Sequence, residues 1–207
     1  MIKAILFDVD GVLIDSFEAN LKFFQNLMLR SGYEPPTRES FREIFPLHLR
    51  AAIQALTNTA SEEELERVLK IARSRETGYD VHLLTVPTGA KKTLTELASS
   101  FKLGIVTSRE NAYESPHLAN LSEYFNVTVS FSDTINHKPH PEPLLFAAKK
   151  LGVEPDECIY IGDANSDLQA GKAAGMKVIM YVAEKREEAD ANAASFDKLP
   201  ALIAALG

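Results

Sequence analysis

The chain has 207 residues, 45% of them hydrophobic and 25% charged, which is typical of one globular domain or of one domain that carries an insertion. Its formal net charge of −7 argues against broad binding to nucleic acid or to anionic membranes, and the acidic composition permits a monomer without excluding an oligomer. No apolar run reaches the roughly 18 residues of a membrane span, so we expect a soluble cytoplasmic protein with neither a transmembrane helix nor a signal peptide.

The first predicted element is a strand at residues 2–7, because this apolar run has the length and hydrophobicity of a strand buried on both faces. Two carboxylates, Asp8 and Asp10, follow it, and Gly11 predicts a sharp turn. Two anions about 4 Å apart repel by about 4 kcal/mol at an effective dielectric constant of about 20. The pair is either an ordinary acidic turn or a site that holds a cation or performs catalysis, and this segment alone leaves both interpretations open.

Residues 16–86 have the apolar spacing of helices and no convincing strand. Apolar side chains recur every three or four positions after Asp15, which is the expected cap of the first helix. Another helix is expected to begin at Ser61, where three glutamates favour the first turn. We therefore predict an all-α domain at residues 16–86, inserted into a core domain formed by residues 1–15 and 87–207.

After this block, strands and helices alternate along the chain. Short buried strands are predicted at residues 103–106, 127–131, 158–161 and 177–182, and helices at residues 90–98, 115–124, 144–151, 167–175 and 199–206. This alternation predicts an α/β fold, with a Rossmann-like parallel sheet covered by helices on both faces. The single cysteine, Cys158, cannot form an internal disulfide and is expected to be a buried strand thiol.

Polar side chains collect where three of these strands end. They are Asp8 and Asp10 after the first strand, Thr107 and Ser108 after the second, and Asp163, Asn165 and Asp167 after the fourth, with Lys138 in a proline-rich loop between the last two sites. In an open parallel sheet, ligands bind beyond the carboxyl ends of the strands, so these groups predict a functional site at one edge. Helix capping by Asn165 and Ser166, and a solvated loop lysine, are the plain alternatives.

In this order, the motifs resemble those of the haloacid dehalogenase superfamily of phosphotransferring hydrolases, in the branch with a helical cap inserted after the first strand. The matching segments are Asp8-Val9-Asp10-Gly11-Val12, then Thr107 or Ser108, then Lys138-Pro139, and finally Gly162-Asp163 with Asp167. The greatest similarity is to phosphoglycolate-phosphatase-like and β-phosphoglucomutase-like members. The resemblance also implies that the first strand is central in the sheet and that residues 16–86 are the cap.

The resemblance implies a catalytic role for both N-terminal carboxylates. Asp8 is the implied nucleophile, which attacks phosphorus to give an aspartyl-phosphate, and Asp10 is the implied general acid and base. Dehalogenases of the superfamily lack the second aspartate, so its presence favours phosphate esters. The implied activity is that of a phosphatase, a phosphoric monoester hydrolase acting on a small phosphorylated metabolite. A sugar phosphomutase is the alternative, and a non-catalytic binding protein is a weaker one.

The resemblance also implies a Mg²⁺ cofactor, which suits hard oxygen ligands. The implied ligands are the Asp8 side chain, the Asp10 main-chain carbonyl and Asp163, with Asp167 in a supporting position. Relatives usually have Ser or Thr directly after the aspartate that corresponds to Asp163, whereas this chain has Ala164. This departure puts the positioning of metal-bound waters in question but leaves the carboxylates in place.

The remaining candidate residues concern the substrate. Thr107 or Ser108 and the Lys138 ammonium are implied to hold the phosphoryl oxygens. The candidates for contacts with the rest of the substrate are Arg109 and three residues of the predicted cap, Arg42, His48 and Arg50. For Arg109 a pair with Glu110 is the alternative, and for the cap residues a solvated helix face is an equally good interpretation. The identity of the substrate does not follow from the sequence.

Overall fold

The computed structural model describes residues 1–45, 47, 49–74, 77–109 and 116–207. The chain divides into two compact units, one formed by residues 1–15 and 85–207 and the other by residues 16–84. Among the described residues, no helix combines the length and the apolar character that a membrane span requires.

The smaller unit is helical. Its helices are α1 (Phe17–Ser31), α2 (Arg38–Ile44), α3 (Leu49–Thr57) and α4 (Glu62–Ala72), followed by a 3-10 turn at Val81–Leu83. Their apolar faces form one core that includes Phe24, Phe41, Ile53 and Val68. The all-α character predicted for the insertion is confirmed.

The start of α1 differs from the prediction. The helix begins after Ser16, whereas Asp15 forms an antiparallel bridge with Thr85. The main-chain N–H of Asp15 donates to the Thr85 carbonyl at 2.8 Å, and the Thr85 N–H donates back at 3.1 Å. Asp15 therefore belongs to the main-chain pairing between two crossing segments, and its predicted role as a helix cap is wrong.

In the described part of the chain, the larger unit contains a single six-stranded sheet. Its strands are β1 (Ala4–Phe7), β2 (Lys102–Val106), β3 (Val127–Val129), β4 (Cys158–Gly162), β5 (Lys177–Tyr181) and β6 (Ala191–Ala193). They lie in the order β3-β2-β1-β4-β5-β6, and every neighbouring pair is parallel. The predicted α/β fold and the central position of the first strand are confirmed.

Helices cover both faces of this sheet. They are α5 (Ala90–Ala98), α6 (Pro116–Ala119), α7 (Glu142–Leu151), α8 (Asn165–Ala173) and α9 (Leu199–Leu206). Successive residues of β1 point to opposite faces. Leu6 belongs to a core with residues of α7 and α8, whereas the Phe7 ring lies 6.5 Å from the ring of Phe196. All four residues of β1 are buried, which holds its carboxyl end firmly.

Two predicted elements need correction, and one strand was not predicted. The strand predicted at residues 127–131 ends at Val129, because the Ser130 N–H donates to the Asp133 carboxylate at 2.7 Å and a 3-10 turn begins there. The helix predicted at residues 115–124 consists of α6 and a separate 3-10 turn at Ser122–Tyr124, and residue 115 lies outside the described residues. The short strand β6 was not predicted, because three residues give too weak an apolar pattern.

Candidate active site

The end of β1 places two carboxylates at the carboxyl edge of the sheet. Asp8 follows the strand directly, and its main-chain N–H donates to the Ile161 carbonyl of β4 at 2.9 Å. The chain then turns at Gly11, whose φ of 77° lies in the left-handed region that favours glycine. Asp8 is buried, with 8% of its surface exposed, whereas the Asp10 side chain is 43% exposed. The two carboxylates therefore occupy different environments.

The Lys138 ammonium lies between two of the site carboxylates. Its Nζ atom is 2.9 Å from Asp8 Oδ1 and 2.6 Å from Asp167 Oδ1, and the lysine side chain is 5% exposed. Burial lowers the pKa of Lys138, but the charges of Asp8 and Asp167 raise it by more, so the net pKa lies above the ordinary value of 10.5. The ammonium is therefore a permanent positive charge in this site.

Three carboxylates form a cluster around this lysine. Asp8, Asp163 and Asp167 each have an oxygen within 4.8 Å of the others. Burial raises the pKa of Asp8 to about 7, with the charge of Lys138 opposing the shift. Burial, together with the charges of Asp8 and Asp167, raises the pKa of Asp163 to about 8. When all three carboxylates are ionised, the cluster carries more negative charge than a single ammonium balances.

This donor set fits a hard divalent cation such as Mg²⁺, which prefers carboxylate and other oxygen ligands. The Asp163 carboxylate lies directly against Gly11, where an added Cβ would be only 1.9 Å from Asp163 Oδ2. Glycine at this position therefore leaves the room in which the Asp163 oxygens approach the end of β1. Because residue 11 is a glycine, the turn after β1 and the Asp163 carboxylate after β4 fit into the same small space.

Asp167 is held by four donors. Its Oδ1 accepts from Lys138 at 2.6 Å and from the Tyr160 hydroxyl at 2.8 Å, and its Oδ2 accepts from the main-chain N–H groups of Asp163 at 3.2 Å and Ala164 at 3.0 Å. Helix α8 begins at Asn165, two residues before its predicted start. The predicted cap residues, Asn165 and Ser166, lie inside the first turn, and the Asp167 carboxylate binds the N–H groups before it instead.

Arg109 binds Asp10 through both carboxylate oxygens. Its Nε donates to Oδ2 at 2.7 Å and its Nη2 donates to Oδ1 at 2.6 Å. Two parallel charge-assisted hydrogen bonds fix the orientation of both groups. The alternative partner considered for Arg109, Glu110, lies outside the described residues.

The two hydroxyls after β2 differ in exposure. Thr107 is buried, and its Oγ1 accepts from the Arg109 main-chain N–H at 3.2 Å, whereas Ser108 is exposed. Both residues line a small cavity together with Lys138. The structure thus brings Asp8, Lys138, Asp163 and Asp167 into direct proximity, with the two hydroxyls beside the lysine.

The sequence matches a known protein family over most of its length. Residues 5–181 match the family model described as haloacid dehalogenase-like hydrolase. The chain belongs to this family. The match spans the first strand, the helical unit and the strands that carry the polar edge, so the resemblance to the haloacid dehalogenase superfamily is confirmed.

Relatives of this haloacid dehalogenase-like hydrolase include named phosphatases. The chain is 35% identical over 181 residues to the pyrophosphatase PpaX of Bacillus pumilus, covering 85% of this chain and 81% of the relative. It is 30% identical over 193 residues to the phosphoglycolate phosphatase of Photorhabdus laumondii, covering 84% and 77% of the two chains. The crystal structure of a subfamily IA haloacid dehalogenase hydrolase from Geobacter sulfurreducens is similar with a TM-score of 0.79, 30% identity and coverage of 100% and 97%. The predicted enzyme class, a phosphatase-type hydrolase, is confirmed.

Two of the three predicted substrate residues of the helical unit have local partners. The Arg50 guanidinium pairs with Glu62 and, at 2.6 Å, with Glu66, both on α4. The Arg42 guanidinium lies over the Phe17 ring, 5.9 Å from its centroid. His48 lies outside the described residues. A substrate contact by any of these three residues stays a prediction.

Tyr160 was not predicted as a residue of the site. This side chain is fully buried in β4, and its hydroxyl accepts from Lys138 Nζ at 2.9 Å and donates to Asp167 Oδ1 at 2.8 Å. Burial and the nearby carboxylates raise the pKa of Tyr160 well above its ordinary value of 10.0, so it stays a neutral phenol. A buried tyrosine hydroxyl usually needs a polar partner, and a single tyrosine inside an otherwise apolar strand was the signal that could have identified it.

Proposed function

We propose that this hydrolase is a Mg²⁺-dependent phosphatase that releases phosphate from a small phosphorylated metabolite through a covalent intermediate on Asp8. The proposal rests on the position of the Asp8 carboxylate. It lies at the end of the central strand, 2.9 Å from the Lys138 ammonium and beside the Asp163 and Asp167 carboxylates. A buried carboxylate between a permanent cation and a cluster of metal-type ligands is suited to attack on a negatively charged phosphoryl group.

In the first step, a carboxylate oxygen of Asp8 forms a bond to phosphorus as the bond from phosphorus to the leaving oxygen breaks. Lys138 binds Asp8 Oδ1 and holds the carboxylate in one orientation. The same ammonium is placed to bind a phosphoryl oxygen, with a hydroxyl of Thr107 or Ser108 as the second donor. Positioning by fixed donors of this kind lowers the barrier because no reorganisation is needed when charge develops.

Asp10 is the proposed general acid and base. It gives a proton to the leaving oxygen in the first step and takes a proton from water in the second, when water attacks phosphorus and Asp8 is regenerated. Such proton transfer contributes about 10²–10⁴-fold to the rate. The Asp10 side chain is partly exposed in the turn after β1, and this exposure supports its proposed contacts with both the leaving oxygen and water.

We propose that the side chains of Asp8 and Asp163 and the main-chain carbonyl of Asp10 hold Mg²⁺, with Asp167 supporting them. The ion, when bound, supplies a positive charge that offsets the repulsion between the carboxylate and the phosphate. The four donors to Asp167 leave this carboxylate little freedom to become a full ligand, which supports its assignment to a supporting position. The predicted location in the cytoplasm and the monomeric state stay predictions.

The proposed function is tested by a screen of small phosphorylated metabolites for release of inorganic phosphate. Turnover is expected with Mg²⁺, is expected to stop when EDTA is added, and should return with excess Mg²⁺. Release of free phosphate without any need for a sugar bisphosphate separates hydrolysis from the sugar phosphomutase alternative. Failure to release phosphate from any member of the panel, including p-nitrophenyl phosphate, would contradict the proposal.

Magnesium binding is expected to tighten as the pH rises from 6 to 8, because the pKa values of Asp8 and Asp163 are raised to about 7 and about 8. Protons on these ligands must leave when the cation binds, so the association constant should rise by up to about tenfold per pH unit for each proton released. In the metal-free protein, the same shifts lower the free energy of unfolding as the pH rises from the ordinary carboxyl pKa of 3.8 through these values.

Isothermal titration calorimetry with Mg²⁺ at pH 6, 7 and 8, in two buffers of different ionisation enthalpy, measures both the affinity and the proton release. The Asp163→Asn variant is the matched comparison, and its affinity should be weaker and less dependent on pH. An affinity that is the same at all three pH values, with no protons released, would contradict the assigned ligands.

A further inference from the structure

The ion pair between Arg109 and Asp10 conflicts with the proposed work of Asp10. Both oxygens of this carboxylate are bound by the guanidinium, at 2.7 Å from Nε and 2.6 Å from Nη2. A general acid has to place one of these oxygens against the leaving oxygen of the substrate. A general acid also has to carry a proton, and a protonated Asp10 no longer supplies the negative charge that pairs with the guanidinium, which can then bind another anion.

The position of the pair allows such an exchange. The Arg109 side chain is 20% exposed and the Asp10 side chain is 43% exposed, so neither group is sealed in the core. A guanidinium fork binds carboxylates and phosphates with the same two-point geometry. An anion on the substrate can therefore take the place that the Asp10 carboxylate now occupies, with little change in the arginine.

The charges of the site make this arginine the suitable receptor for a second anion. The Lys138 ammonium is already shared between Asp8 and Asp167, and the proposed Mg²⁺ is assigned to the carboxylate cluster and the transferred phosphoryl group. A second negative group on the substrate is therefore stabilised by a cation other than these two. Arg109 lies at the exposed side of the site, next to the carboxylate that must meet the leaving oxygen.

We infer that Arg109 is a specificity residue that selects leaving groups with a second anion close to the scissile oxygen. The anion, a carboxylate or a phosphate, takes the guanidinium from Asp10 and so frees Asp10 for the leaving oxygen. Arg109 binds Asp10 directly, so the second anion has to lie close to the scissile oxygen. It is therefore attached to the leaving-group carbon, or is part of the leaving-group phosphate, that is bonded to this oxygen. This inference rests on the proposed phosphatase function and names the substrate class.

The test compares two small substrates of similar size, 2-phosphoglycolate and 2-hydroxyethyl phosphate, in which a neutral hydroxymethyl group replaces the carboxylate. The value of kcat/KM for phosphate release is measured with Mg²⁺ for the wild type, for Arg109→Gln and for Arg109→Lys. The wild type is expected to prefer 2-phosphoglycolate by about 10- to 100-fold, the range that a charge-assisted hydrogen bond supplies. Arg109→Gln should lose this preference, mainly through a higher KM for 2-phosphoglycolate, and Arg109→Lys should keep part of it because the charge remains without the fork.

Arg186→Gln is the matched control, since it removes the same charge at an exposed position between β5 and β6 and should keep the preference. A purely structural role of Arg109 would lower kcat/KM for both substrates by the same factor, and this result would overturn the inference. Thermal unfolding identifies a variant that does not fold. If Arg109→Gln fails to fold, the inference is tested by two other results. These are the preference of the wild type for 2-phosphoglycolate and the partial loss of this preference in Arg109→Lys.

The failure of this inference and the failure of the proposed function have different signatures. Equal kcat/KM for the two substrates in the wild type, or hydrolysis of p-nitrophenyl phosphate without hydrolysis of 2-phosphoglycolate, overturns the inference and leaves the phosphatase function intact. The absence of phosphate release from these three compounds and from every other member of the metabolite panel contradicts the proposed function, and the inference fails with it.

Discussion

Replacement of Asp8 by asparagine is expected to reduce the rate of phosphate release by at least about 10³-fold. The amide is a poor nucleophile, so no covalent bond from residue 8 to phosphorus can form. The side chains of aspartate and asparagine have nearly the same shape, and the Lys138 ammonium can still donate to an amide oxygen at this position. The measurement is kcat for phosphate release with Mg²⁺, together with a thermal unfolding curve that shows whether the variant is folded.

The matched control for this variant is Asp156→Asn. Asp156 lies in the same unit, in the 3-10 turn before β4, and is exposed. This variant should have the activity of the wild type, because the substitution removes the same charge away from the site. An Asp8→Asn variant that is folded and keeps most of its activity would show that another group attacks phosphorus or that water attacks it directly.

Replacement of Lys138 by methionine is expected to have the second largest effect, in activity and stability together. Methionine fills a similar volume, but it leaves Asp8 and Asp167 without the ammonium that now lies 2.9 Å and 2.6 Å from them. Removing one partner of a buried ion pair costs about 3–5 kcal/mol in the free energy of unfolding. Loss of a donor to the phosphoryl oxygens should also lower kcat/KM by about 10²–10³-fold.

Chemical denaturation and steady-state kinetics measure these two effects in one preparation. Lys149→Met is the control, because Lys149 is an exposed lysine on α7 in the same unit. It should leave both quantities within the error of the wild-type values. If Lys138→Met were as stable and as active as this control, the ammonium would have neither the structural nor the phosphate-binding role assigned to it.

The parts of the site that were predictable from sequence are those carried by short segments. Asp8 and Asp10 directly follow an apolar run and precede Gly11, so the strand, the carboxylates and the turn are visible together in one stretch. The carboxyl ends of parallel strands meet at one edge, and this rule predicted that the Asp163 carboxylate lies near the end of β1, whereas the position of Lys138 in the site came from the family resemblance. The central position of the first strand then followed from the family resemblance.

The parts that were not predictable depend on contacts between distant residues. Arg109 and Asp10 are 99 positions apart in the chain, and no local pattern indicates that the arginine binds that particular carboxylate. The Tyr160 hydroxyl is 22 positions from Lys138, and its place inside an apolar strand concealed a polar role. Both contacts follow from the exact packing at the sheet edge, which composition and periodicity do not encode.

The partners of charged residues in the helical unit were also not predictable from the sequence. The sequence makes Arg50 a candidate for binding an anionic substrate, but a cluster of basic residues does not reveal its partners. In the folded chain Arg50 reaches two glutamates of α4, Glu62 and Glu66, which lie one helical turn apart. This pairing is the kind of solvated helix contact that charge patterns alone cannot distinguish from a binding surface.

The attack of Asp8 on phosphorus is tested most directly by a crystal structure of the enzyme with beryllofluoride and Mg²⁺, since beryllofluoride forms a stable mimic of a phosphoryl group on a carboxylate. We expect beryllium bonded to a carboxylate oxygen of Asp8, within reach of Lys138, with the cation bound by Asp8 and Asp163. A beryllofluoride group on another residue, or an unmodified Asp8 in crystals of an enzyme that beryllofluoride inhibits, would contradict the account.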